Sequence, residues 1–132
     1  MALFTRCILG DVSEEDGLRI SVMSRHTLED GKTPDRRITS DIFDLHMPEL
    51  APSPELVGAW YRGEINWGEF KTGYGWKMRH APMDRYIEIL CAIAKKTDVT
   101  ILCIEQEVDH CHRRLLAERC LEVQPDLVIE YR

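Results

Sequence analysis

Cys103, Glu105, Cys111, His112 and Arg113 fall within one short stretch of the chain, and each can do chemistry. On an extended strand Cys103 and Glu105 are two apart and point to the same side. Asp109 has the character of a helix N-cap, which puts Cys111, His112 and Arg113 in a first turn. The start of a helix offers unpaired N–H groups and a positive dipole end, both favourable to an anion. Arg113 adds a planar fork matched to phosphate or carboxylate. Glu105 or His112 can serve as general acid or base. A cysteine at a helix start, here Cys111, is placed for nucleophilic or redox chemistry. Ordinary readings stand beside these. Cys103 can be a core thiol, His112 can hydrogen-bond a neighbour, and Arg113 can pair at the surface with Glu105 or Glu107.

A second half of the site comes from Ser24-Arg25-His26, where Arg25 can face the same cleft as Glu105. Cys103, Cys111 and His112 are also soft or borderline metal ligands, and a catalytic zinc needs three of them. The chain has no Cys-x-x-Cys pair, and a Cys-x7-Cys-His spacing has little specificity, so no metal and no cofactor is expected.

These residues need elements to hold them. Val99–Ile104 is almost wholly apolar and predicts a strand over 98–105, covered on both faces. A loop of Gln106–Val108 leads to Asp109 as N-cap, a helix follows over 110–122, and a last strand follows over 127–131. That order is a right-handed βαβ unit. Ligands of such sheets bind beyond the carboxyl ends of the strands.

Upstream, Phe4–Leu9 and Leu18–Met23 read as strands flanking an acidic turn, a spacing that allows an N-terminal hairpin. Residues 24–39 form a long polar loop, and Ile42–Met47 a short strand. Three helices begin at Ser53-Pro54-Glu55, after Asn66, and at Pro82. Trp60, Tyr61, Trp67, Phe70, Tyr74 and Trp76 are read chiefly as core, with Tyr74 or Trp76 as the candidates to line the cleft. The fold class is a single α/β domain over residues 1–132. It is a three-layer sandwich with a mainly parallel sheet and helices on both faces.

Composition sets limits. The 132 residues carry a net charge of −6, which argues against non-specific binding to a nucleic-acid backbone. No apolar run approaches the length of a membrane span, and the start lacks a signal-peptide layout, so a cytoplasmic protein is expected. Five cysteines, an odd number, do not suggest a disulfide framework, and most are expected to be free.

Leu102-Cys103-Ile104-Glu105 and Cys111-His112-Arg113 resemble the strand and helix-start motif of the domain-of-unknown-function 488 family. Asp16-Gly17-Leu18-Arg19-Ile20, Leu50-Ala51-Pro52-Ser53-Pro54-Glu55-Leu56 and Trp67-x-x-Phe70-x-x-x-Tyr74 resemble the family's smaller branch. The chain departs from that branch at Ser24–Asp30, where Arg25 alone matches. The resemblance covers roughly residues 4 to 121. It implies an α/β fold and no established activity.

From these residues the expected function is binding of an anionic small molecule or nucleotide-like ligand. Arg25, Ser24, Cys103, Asp109 and Arg113 would bind it, with Glu105, His112 and Cys111 as the catalytic candidates. An enzyme of this kind would be a hydrolase or transferase on a phosphoester or glycosidic bond. The alternatives are a redox or metal-dependent protein using Cys103, Cys111 and His112, and a non-catalytic interaction module, such as a homodimer.

Overall fold

A computed structural model describes residues 1–105 and 109–132. The Gln106–Val108 loop expected from the sequence lies outside the described residues.

Among the described residues five strands form one sheet: β1 (Ala2–Cys7), β2 (Leu18–Ser21), β3 (Leu45–His46), β4 (Val99–Cys103) and β5 (Val128–Tyr131). Their spatial order is β3-β2-β4-β1-β5, and every pairing is parallel. All five residues of β4 are buried, as its unbroken apolar run requires. The α/β class stands. The N-terminal hairpin does not form, because β4 inserts between β1 and β2 and takes the ladder bonds of both. A strand of Val, Ile and Leu gains more from full burial at the centre than from any edge position.

The four α-helices among the described residues follow the expected boundaries closely: α1 (Pro54–Tyr61), α2 (Trp67–Met78), α3 (Met83–Ala94) and α4 (His112–Val123). Ser53 caps α1 by accepting from the Leu56 N–H, with Pro54 in the first turn. Asn66 and Glu69 form a reciprocal capping box on α2. Helices α2, α3 and α4 touch one another, and α4 packs on β1, β4 and β5, so the α-helices make one layer.

The opposite face of the sheet is covered differently. A short 3-10 helix, Glu14–Asp16, lies there, with Asp16 O accepting from Thr100 Oγ1 of β4. The loop after β2 also reaches β2 side chains, with Ile42 O accepting from Arg19 Nε and His26 Nε2 2.7 Å from Ser21 Oγ. Asp16 is fully buried and ion-paired to Arg6 and Arg19. The turn after it needs Gly17. Its φ is +65°, and a Cβ there would stand 2.1 Å from Asp98 O.

The layering decides where a ligand can sit. Strand β2 leads into residues 22–44, whereas β4 is followed in the chain by α4, which packs on β1, β4 and β5. Adjacent strands whose connections diverge in this way open a crevice at their carboxyl ends.

Candidate functional site

A cavity of about 610 Å³ occupies that crevice. Met23, Ser24 and Arg25 border it from the end of β2, and Ile104 and Glu105 from the end of β4. The other side is aromatic: Trp60 and Tyr61 of α1, Trp67 and Phe70 of α2, and His110. Trp60 and Trp67 have ring centroids 5.4 Å apart, Trp67 stacks on Phe70 at 5.1 Å, and His110 lies 5.0 Å from Trp67. These rings are half-buried or exposed into the cavity apart from Phe70, which closes its floor.

Glu105 is the focus of the inner end. Its Oε1 accepts from the Tyr61 hydroxyl at 2.7 Å, and its Oε2 lies 2.9 Å from Cys103 Sγ and 3.3 Å from Cys111 Sγ. Desolvation at the cavity wall and the Glu105 charge push the Tyr61 phenol far above its usual range, so it stays a donor. The sulfurs of Cys103 and Cys111 are 2.25 Å apart and joined as a disulfide, while Cys7, Cys91 and Cys120 are free. In the joined state the sulfurs carry no proton and only touch Glu105. In the reduced state they are donors to it.

His112 lines the cavity with one ring edge and is otherwise buried. Its Nε2 donates to Val22 O at 2.8 Å, and its ring meets Tyr74 edge-on. Burial holds the imidazole below its usual range, against the pull of Glu105 and the Val22 carbonyl. A neutral ring with the proton on Nε2 leaves a lone pair on Nδ1.

Arg113 is fully buried and lies outside the cavity lining. Its Nη1 donates to Glu105 O and reaches Cys103 Sγ at 3.4 Å and Cys111 Sγ at 3.2 Å. It therefore braces the strand end from beneath and presents no fork to the cavity. Asp109 is exposed and pairs with Arg114 at 2.7 Å. The N-cap of α4 is Cys111, without a side-chain cap bond, so the helix begins two residues later than Asp109 would place it. That shift rotates Arg113 inward.

The aromatic expectation is corrected as well. Tyr74 is fully buried and donates to Leu50 O, and Trp76 is 65% exposed and stacks on His80 away from the cavity. Trp60, Tyr61, Trp67 and Phe70 line the cleft in their place.

Charge around the rim is uneven. Asp35 and Arg37 neutralise each other through a bidentate pair at 2.9 and 2.7 Å. Glu29, Asp30 and Glu105 remain, against Arg25. The Thr33 hydroxyl and the Lys32 and Thr33 N–H groups draw the Asp30 carboxyl down to about 2, so it is ionised. Arg25 is exposed, donates to Gly31 O at 3.1 Å, and has no carboxylate partner among the described residues.

A family model described as the active DUF488-N3 subclade matches residues 4–124. The chain belongs to the domain-of-unknown-function 488 family. No curated protein and no solved structure matches it. In this DUF488 member the motif residues Cys103, Glu105, Cys111 and His112 cluster together, Glu105 and His112 reach the cavity, and Arg113 lies buried beside them. No helix among the described residues is long and apolar enough to cross a membrane.

Behind Arg25, His26 stacks on His46 with centroids 4.0 Å apart, and its Nε2 is 2.7 Å from Ser21 Oγ. Burial first, and the charge of His46 second, hold His26 below the ordinary 6.5. The folded state prefers the neutral ring, so its contribution is complete above that value and is lost as pH falls through it. The melting midpoint should therefore drop between about pH 7.5 and about pH 5.5, and His26→Gln should remove part of that drop. An identical pH profile in the variant would show that the stacked pair does not set the dependence.

Proposed function

We propose that this protein binds a nucleotide-like small molecule in the cavity, with Glu105 addressed to its glycosidic bond. One observation carries the reading: an aromatic wall of Trp60, Trp67 and His110 shares a single 610 Å³ space with Glu105 and Arg25. Sites for small organic ligands fall within roughly 300–1,000 Å³ and combine apolar rings with a few aimed polar groups. A planar base can stack on the tryptophans. A single anionic group can meet Arg25, while the acidic remainder of the rim disfavours a polyphosphate.

The carboxylate then has two uses. It can take a proton from an attacking water, or stabilise positive charge developing on the sugar ring. Tyr61 fixes one of its oxygens, and Arg113 fixes the backbone that bears it. The chemistry that fits is hydrolysis or transfer at a glycosidic bond, which asks for no cluster of cations in the cavity.

Calorimetric titration with a purine nucleoside and with its 5′-monophosphate tests the binding. Arg25→Ala should weaken the monophosphate about tenfold, near 1.4 kcal/mol, and leave the nucleoside unchanged. Equal affinity of wild type and variant for the monophosphate would remove Arg25 from the site.

A further inference from the structure

We propose that Cys103, Cys111, His112 and Glu105 form a binding site for one divalent ion of the zinc class when both thiols are reduced. One donor atom from each of the four side chains lies within 4.8 Å of the others. Tetrahedral zinc bonds of roughly 2.0–2.3 Å place donors about 3.3–3.8 Å apart, so reduction must let the two sulfurs separate from 2.25 Å while the other donors draw in. Cys103, Cys111 and His112 are almost wholly buried, and Glu105 and His112 both reach the cavity. This gives two inner thiol ligands and two ligands at the cavity side.

Two further observations point the same way. His112 gives its Nε2 proton to Val22 O, which fixes the ring and frees Nδ1, the arrangement that metal-bound imidazoles adopt. The Cα atoms of Cys103 and Cys111 are 7.6 Å apart. Disulfides usually span about 4.4–6.8 Å, so the backbone spacing suits two thiolates joined through an ion.

Electrostatics agree: a divalent ion offsets the negative charge of two thiolates and the Glu105 carboxylate, with the buried Arg113 guanidinium beside the sulfurs. The disulfide state removes both thiolates and so closes the site to metal.

The inference does not rest on the ligand reading of the cavity, and Glu105 is the residue the two share. The test uses full-length protein, reduced and stripped with a chelator, then titrated with Co²⁺ and with Zn²⁺. The expected result is one equivalent of Co²⁺ per chain, with intense sulfur-to-cobalt charge-transfer absorption that Zn²⁺ abolishes. The oxidised protein and the Cys103→Ser/Cys111→Ser variant should show none. Zn²⁺ should also slow alkylation of Cys103 and Cys111 in the wild type and leave Cys7 unaffected, a readout that needs no variant to fold. Absence of charge-transfer absorption in the reduced wild type, or alkylation indifferent to Zn²⁺, would overturn the proposal. Closure of the Cys103–Cys111 disulfide in preference to metal uptake, with Zn²⁺ in excess, would overturn it in favour of a redox pair. None of these outcomes touches nucleotide binding, which the titrations above measure separately.

Discussion

Glu105→Gln is expected to slow release of free base from a bound nucleoside 5′-monophosphate by roughly 10²- to 10⁴-fold, about 2.7–5.5 kcal/mol of barrier. The substitution keeps the size of the side chain and an oxygen for the Tyr61 hydroxyl, which donates to it at 2.7 Å. It removes the charge that would stabilise an oxocarbenium-like transition state or take a proton from water. Ligand affinity should change little, because the ring contacts and Arg25 are untouched. Base release at the wild-type rate in the variant would take Glu105 out of the chemistry.

The second large effect lies on the other face of the sheet. Asp16→Ala should destabilise the fold by about 3–5 kcal/mol, the range seen when one partner of a buried ion pair is deleted. Asp16 is fully buried. One of its oxygens accepts from Arg6 Nε at 2.8 Å and has Arg132 Nη1 at 3.6 Å, and the other meets Arg19 Nη1 and the Ser13 N–H. Without the carboxylate, the Arg19 guanidinium keeps, among the described residues, its bond to Ile42 O and remains 4% exposed. A domain of this size has roughly 5–15 kcal/mol of net stability, so the variant should unfold at markedly lower denaturant concentration.

The same carboxylate gives a pH signature. Burial alone would raise its pKa, but the Ser13 N–H, the Arg19 hydrogen bond and the charge of Arg6 outweigh burial and hold it below 3.8. Its contribution is present above the unfolded value and is lost as pH falls through the lowered one. A loss below about 1 kcal/mol in Asp16→Ala would mean that the arginines find other partners.

Much of the frame was legible because it rests on local rules. Ser53-Pro54 and Asn66 with Glu69 announce helix starts through backbone donors that some side chain must satisfy. The apolar run Val99–Ile104 announces a central strand. The hairpin expectation failed for a reason outside any local window, since the strand that separates β1 from β2 lies some eighty residues later in the chain.

The site was legible in composition more than in orientation. Cys103, Glu105 and His112 meet where strand-end reasoning puts them, and Arg25 comes to the same cavity. Arg113 does not, because Cys111 and not Asp109 begins α4, and a shift of two residues turns a side chain by about 200° around the helix. Trp60, Trp67 and Phe70 pack on the core as their spacing suggests, but that spacing does not show that they, with Tyr61, also line the cavity. Only the crevice between β2 and β4 turns their outer faces into a lining. Tyr61, the donor to Glu105, had no signal of its own, as a tyrosine in the last turn of a helix is ordinary.

The most direct measurement uses the tryptophans themselves. Of the three, Trp60 and Trp67 line the cavity and Trp76 does not, so Trp76→Phe leaves emission from the site alone. Titrating that protein with a purine nucleoside 5′-monophosphate should quench the emission saturably at one ligand per chain, and Trp67→Ala should abolish the response. Unchanged emission through millimolar nucleotide, in protein that is folded and reduced, would contradict the cavity as a nucleotide-like site.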